Sequence, residues 1–170
     1  MKIIRHLLLV FSLLLIFTHQ GCGVYSFTGA SIPPEAKTFS VQQISNNALL
    51  VEPLLSSIFT TALRDKFMNQ TNLTMTTVNG DLAFEGEITE YATTPVAIQS
   101  DQTAAMNRLT ITVNIRFISK VDESKSFESK FTQYIEYPSN ENLNSIKDGM
   151  IAEITEALVD NIFNKAVVNW

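Results

Sequence analysis

Cysteine is all but missing from this 170-residue chain, which carries one, Cys22. Histidine is nearly as scarce: it occurs twice, at His6 and His19, and both precede that cysteine. Residues 23–170 therefore contain neither an imidazole nor a thiol. A histidine-based catalytic triad, a cysteine nucleophile and a zinc centre built from the usual ligands are excluded over that stretch. Basic residues are few as well, 12 Lys and Arg against 17 Asp and Glu, for a formal net charge of −5. That balance argues against generic nucleic-acid binding, which needs clustered cations to neutralise phosphates. The apolar run at residues 7–17, "LLLVFSLLLIF", is too short to cross a bilayer. As a helix it spans about 16 Å, against a hydrocarbon core of about 30 Å. Internal repeats and low-complexity segments are absent too.

What stands around that run is informative. Lys2 and Arg5 precede it, and the polar, small-residue stretch Thr18-His19-Gln20-Gly21 leads from it to Cys22, which is the order of a secretory signal peptide. Gly21 supplies the small residue that a lipoprotein signal peptidase requires before its cysteine, although His19 stands where an apolar residue is usual. The expected product begins at Cys22, with residues 1–21 removed and a diacylglycerol on the sulfur. No free thiol is then left to form a stray disulfide in an oxidising envelope. Several acyl chains, at about 0.8 kcal/mol per buried methylene, hold such a chain on a membrane without spanning it. Ordinary secretion with a cysteine near the new end is the alternative. Loss of Lys2 and Arg5 leaves 10 basic residues against 17 acidic ones, a net charge near −7. Gly23 rather than Asp follows the cysteine, and no acidic run comes after it. The expected location is thus the periplasmic face of the outer membrane. Residues 22–37, with Pro33 and Pro34 enforcing an extended path, form a lipidated tether. Residues 38–170 form a single domain with a sizeable core.

Periodicity predicts the elements of that domain. Residues 38–44, "TFSVQQI", set Phe39 and Val41 against polar neighbours and read as a strand ended by "SNNA". Over residues 52–69, Leu54, Leu55, Ile58, Phe59, Ala62, Leu63, Phe67 and Met68 recur at three- and four-residue spacing, predicting a helix with Pro53 in its first turn. Leu73, Met75 and Thr77 alternate, and Asn79-Gly80 predicts a tight hairpin because both residues accept positive φ. The return strand, residues 82–91, puts Leu82, Phe84, Gly86 and Ile88 on one face and Glu85, Glu87 and Tyr91 on the other. "ATTPVAIQSDQTAA", with Pro95, is expected to break the ladder. Residues 109–117 alternate strictly and pair with residues 127–137, which Pro138 stops. Residues 141–168 place Leu143, Ile146, Met150, Ile151, Ile154, Leu158, Ile162 and Phe163 on one helical stripe, read as core. The fold class is α+β: two amphipathic helices packed on one face of a mixed, mostly antiparallel four- or five-stranded sheet, in the order β-α-β-β-β-β-α. The other sheet face is polar, with Arg108, Thr110, Thr112, Asn114 and Arg116.

The stretches "GCGVYSFTGASIP", "TALRDKF", "QTNL", "GDLAFEGEITEY", "TPVAI", "NRLTITVNIRF" and "IFNKAVVNW" resemble LptE, the lipopolysaccharide-assembly lipoprotein family, in its Bacteroidetes-type form. The resemblance covers essentially all of residues 22–170. It implies a non-enzymatic lipoprotein, without cofactor or metal, inside the lumen of the lipopolysaccharide-translocon outer-membrane β-barrel (LptD type). There it plugs the barrel, helps assemble it and supports delivery of lipopolysaccharide to the cell surface; some members bind lipopolysaccharide. Arg108 and Arg116, with Lys120, are candidate contacts to lipopolysaccharide or the barrel, because a guanidinium fork matches phosphate oxygens. Ordinary surface charge is the blander account of them. Glu85 and Glu87 share a strand face and are expected to be solvated there rather than to form an acid/base pair. The sequons beginning at Asn69 and Asn72 carry no weight in a bacterial lipoprotein. Two other functions are weighed. One is an envelope hydrolase, which needs a cleft with an activated nucleophile; the other is a periplasmic lipoprotein that binds another lipid or assembles another envelope complex.

Overall fold

The computed structural model describes residues 32–50, 52–96 and 105–167. The expected signal peptide, Cys22, most of the expected tether, residues 97–104 of the Pro95 segment and residue 168 of the expected last helix lie outside them. The chain runs through β1 (Thr38–Val41), β2 (Ser45–Asn46), α1 (Leu55–Gln70), β3 (Thr74–Met75), β4 (Leu82–Val96) and β5 (Met106–Ser119). A 3-10 turn (Glu123–Lys125), β6 (Phe127–Pro138) and α2 (Leu143–Val167) complete it. The sheet order is β3-β1-β4-β5-β6, and β2 prolongs the β1 side by pairing with β4. β4, β5 and β6 are antiparallel neighbours, whereas β1, β2 and β3 pair in parallel. α1 packs over β1, β2 and β3, α2 packs over β5 and β6, and the helices pack on each other. The α+β class, with two helices on one face of a mixed sheet, is as the periodicity predicts, but among the described residues the sheet has six strands.

Aromatic residues bind the two layers together. Phe39 on β1, Phe67 on α1, Phe84 on β4, Phe117 on β5 and Phe127 on β6 form a chain of ring contacts at centroid distances of 5.5, 4.7, 4.9 and 5.2 Å. Phe67 also meets Phe163 of α2 at 5.0 Å. Such pairs add about 0.5–1.5 kcal/mol each beyond the burial of their area. The stripe of α2 is core, as expected: Ile151, Ile154, Leu158, Ile162 and Phe163 are all buried.

Four details of the sequence reading are corrected. The segment after β3 carries Asn79 at φ 58°, so a turn residue stands where one is expected. The turn is no hairpin, however, because β3 and β4 lie on opposite sides of β1 and run parallel to it. The chain passes across β1 at Gly80, where a Cβ would meet the Phe39 carbonyl carbon at 2.5 Å. The first strand divides, since Ser45–Asn46, within the expected terminator, pairs with Glu87 and Ile88. α1 repairs the gap: Thr60 Oγ1 accepts the Ile44 N–H, Ser56 Oγ donates to the Ile44 carbonyl, and Arg64 donates to the Val41 carbonyl. Pro95 does not end the ladder; it lies within β4 opposite Asn107, beyond the part of β4 that β1 and β2 cover. A proline is tolerated there because its missing N–H can face the open side. Finally, a register shift between Ile88 and Glu90 moves Tyr91 opposite Ile111, off the polar face and against the core.

Candidate functional site: the polar face of the sheet

The register that buries Leu109, Ile111, Val113, Ile115 and Phe117 sends the intervening residues of β5 to the opposite face. Arg108, Thr110, Thr112, Asn114 and Arg116 stand there, opposite Glu136, Tyr134, Thr132, Lys130 and Glu128 of β6. On the β4 side they face Thr94, Ala92, Glu90, Glu87 and Glu85. Cross-strand bonds knit this face together. Arg108 pairs with Glu136 at 2.5 Å and lies 4.1 Å from the centre of the Tyr134 ring. Arg116 pairs with Glu85 at 3.1 Å, Asn114 donates to Glu128, and Thr112 bonds both Glu90 and Thr132. The Glu136 hydrogen bond raises the Arg108 pKa above its ordinary value.

The structure thus brings Arg108 and Arg116 to one face but at opposite ends of β5, eight residues or about 26 Å apart. Lys120 lies past the end of that strand, where its Nζ donates to the Asn79 carbonyl at 2.7 Å and its N–H to Asp81. Arg116 and Lys120 share an open recess of about 490 Å³ with Ser119, Ser126, Glu123 and Glu128. A second recess of about 470 Å³, on the β4 side of Arg116, is lined by Gln42, Gln43, Ser45, Glu85 and Glu87. The three candidate residues are therefore one separated arginine, Arg108, and one Arg116–Lys120 pair. Sequence reasoning missed the carboxylate partners of the two arginines, Glu136 of β6 for Arg108 and Glu85 of β4 for Arg116, because those pairings become readable only with the strand register.

Glu85 and Glu87 each have a polar partner, Arg116 and Asn47 respectively. No group of three or more acidic, histidine or cysteine residues suited to a metal ion occurs among the described residues. At the domain's edge, the Asp81 carboxylate accepts the N–H groups of Lys37 and Thr38 and the Thr38 hydroxyl, each at 2.9 Å. Chiefly the Lys37 and Thr38 bonds, with a smaller contribution from the charge of Lys120, hold its pKa below the ordinary 3.8.

Comparison with known proteins begins from this architecture. Among solved structures, a minor lipoprotein from Acinetobacter baumannii superposes with a TM-score of 0.51 at 13% identity, over 76% of this chain and 91% of that one. A hypothetical protein from Chlamydia trachomatis gives 0.52 at 10% identity, over 77% and 98%. A putative neuraminyllactose-binding hemagglutinin homolog from Helicobacter pylori gives 0.52 at 8%, over 83% and 88%. At such identities these likenesses concern the fold alone. No curated protein matches the sequence. The sequence model of the lipopolysaccharide-assembly family LptE matches residues 36–166, which takes in every strand and nearly all of α2. A match of that extent, on the two-layer domain found here, shows that this chain belongs to the LptE family of lipopolysaccharide-assembly proteins.

Proposed function

We propose that the chain is an outer-membrane lipoprotein, processed and lipidated at Cys22, that works from the periplasmic side. There it plugs and helps assemble the lipopolysaccharide-translocon β-barrel (LptD type) and supports delivery of lipopolysaccharide to the cell surface. It acts by binding, without turnover. The observation that carries this reading is the family match over residues 36–166. The polar sheet face supports it, because a broad surface of satisfied, half-exposed polar groups suits a contact made of many modest interactions. Lipidation adds effective concentration, so such contacts suffice for a stable complex with a membrane-embedded barrel. Within that face, Arg116 and Lys120 are the proposed contacts to anionic groups of lipopolysaccharide or the barrel, with Arg108 as an outlying third.

The test is purification of the tagged chain from outer membranes, together with its depletion in the cell. The barrel should co-purify, and depletion should lower both correctly folded barrel and surface lipopolysaccharide. Intact barrel assembly and surface lipopolysaccharide after depletion would show the reading to be wrong.

A further inference from the structure

Three exposed apolar side chains gather where the chain arriving from Cys22 reaches the domain. Met68 is 45% exposed near the end of α1, Met75 45% exposed on β3, and Val78 57% exposed just beyond it. Met75 pairs with Phe39 in a parallel ladder, so its side chain stands on the helix-covered side of the sheet. Met68 lies one turn beyond Arg64, whose guanidinium reaches the Val41 carbonyl; it therefore occupies the side of α1 that overlooks β1 and β3. Thr76 Oγ1 bonds the carbonyls of both Phe39 and Val78, which keeps Val78 beside the same strands.

The arriving chain comes in at the same place. Thr74 donates its N–H to the Lys37 carbonyl at 2.9 Å, and Ile32 is partly buried against the core. Ile32 lies ten positions after Cys22, a reach of at most about 36 Å. Acyl chains on Cys22 would therefore keep this edge within that distance of a bilayer. The other exposed leucines, Leu49, Leu50 and Leu54, precede the opposite end of α1, about 20 Å away along the helix.

We infer that Met68, Met75 and Val78 form a membrane-contact edge that seats the domain against the lipid surface beside its own anchor. The inference rests on lipidation at Cys22 as proposed above. Three half-exposed side chains hold a free domain on a bilayer only weakly, but the anchor makes their insertion an intramolecular step. Methionine suits such a contact, since its flexible thioether adapts to an irregular apolar surface. Lys120, bonded to the Asn79 carbonyl next to Val78, places a cation at the same edge, where lipid phosphates lie.

Site-specific fluorescence tests this. In the lipidated chain Cys22 is consumed, so Met75→Cys, Val78→Cys or Leu50→Cys supplies the one free thiol for a bimane label. Each labelled full-length protein is reconstituted into phosphatidylethanolamine/phosphatidylglycerol vesicles containing nitroxide lipids. Labels at 75 and 78 should lose fluorescence, the label at 50 should not, and adding Met75→Glu should restore the signal at 78 while circular dichroism stays native. Equal quenching at all three positions, or quenching at 50 alone, overturns the edge in a chain whose mass shows the acyl additions. A mass without those additions overturns the anchor, and the edge with it.

Discussion

A methyl group at Gly86 would stand 2.2 Å from the Asn114 carbonyl oxygen and 3.0 Å from Ile115 Cδ1. The first contact is with backbone of the paired strand, so β4 and β5 must part to admit it. Gly86→Ala should therefore cost about 1–3 kcal/mol, read as a lower midpoint in urea unfolding. Thr155 presents the opposite case. Its hydroxyl is buried and finds no hydrogen-bond partner among the described residues, so the isosteric Thr155→Val should raise stability by about 1 kcal/mol in the same assay. Asp81 makes stability depend on pH. Its folded pKa lies below the ordinary 3.8, so the unfolded chain takes up the proton first as pH falls. The stabilisation is complete above about pH 5 and is lost as pH falls through 3.8 toward the lowered value. Asp81→Asn should melt with a flatter pH profile on that acid limb; an unchanged profile would mean that the three bonds to Lys37 and Thr38 contribute nothing.

Among the elements, α1 depends most on one side chain. Phe67 touches Phe39, Phe84 and Phe163, joining β1, β4 and α2 through a single ring. Phe67→Ala should cost about 3–5 kcal/mol, a large part of a typical domain stability of about 5–15 kcal/mol, and should appear as an early, broadened thermal transition. Both helices and the long strands were legible in the sequence because burial on one side imposes its period on every residue of β5 and along α2. The polar face was legible for the same reason, as the residues left over. What escaped was set by contacts distant in sequence. Asn79-Gly80 satisfies a hairpin and a strand crossing equally well, and only the insertion of β1 between β3 and β4 distinguishes them. Ser45 and Asn46 carry no strand pattern because they pair through backbone groups with Glu87 and Ile88. The shift at Ile88/Glu90 changes which face Tyr91 joins, and an uninterrupted alternation cannot signal it. At the candidate site, Arg108 and Arg116 were visible on β5, but their neutralisation by Glu136 and Glu85 follows from strand pairing alone.

For the whole molecule, the polar face allows stability and the proposed partner binding to be tested apart. Exposed ion pairs are worth about 0–1 kcal/mol, so the double variant Arg108→Glu, Arg116→Glu should melt close to the parent although Glu136 and Glu85 then face like charges. If the face is the contact surface, the same variant should retain much less barrel or lipopolysaccharide in a pull-down. Normal retention would reduce both arginines to surface charge. The placement of β1 also has a mechanical meaning. The first strand of the domain, β1, lies inside the sheet, parallel to β3 and β4 and crossed at Gly80. Tension drawn through Lys37 runs along the axis of that strand, so its hydrogen bonds on both sides are sheared together instead of opening one after another. Peeling from the end is barred by Asp81, which clasps the first two backbone N–H groups in line. If the domain is moored through Cys22 as proposed, it resists being pulled away through a strand that is held on both sides.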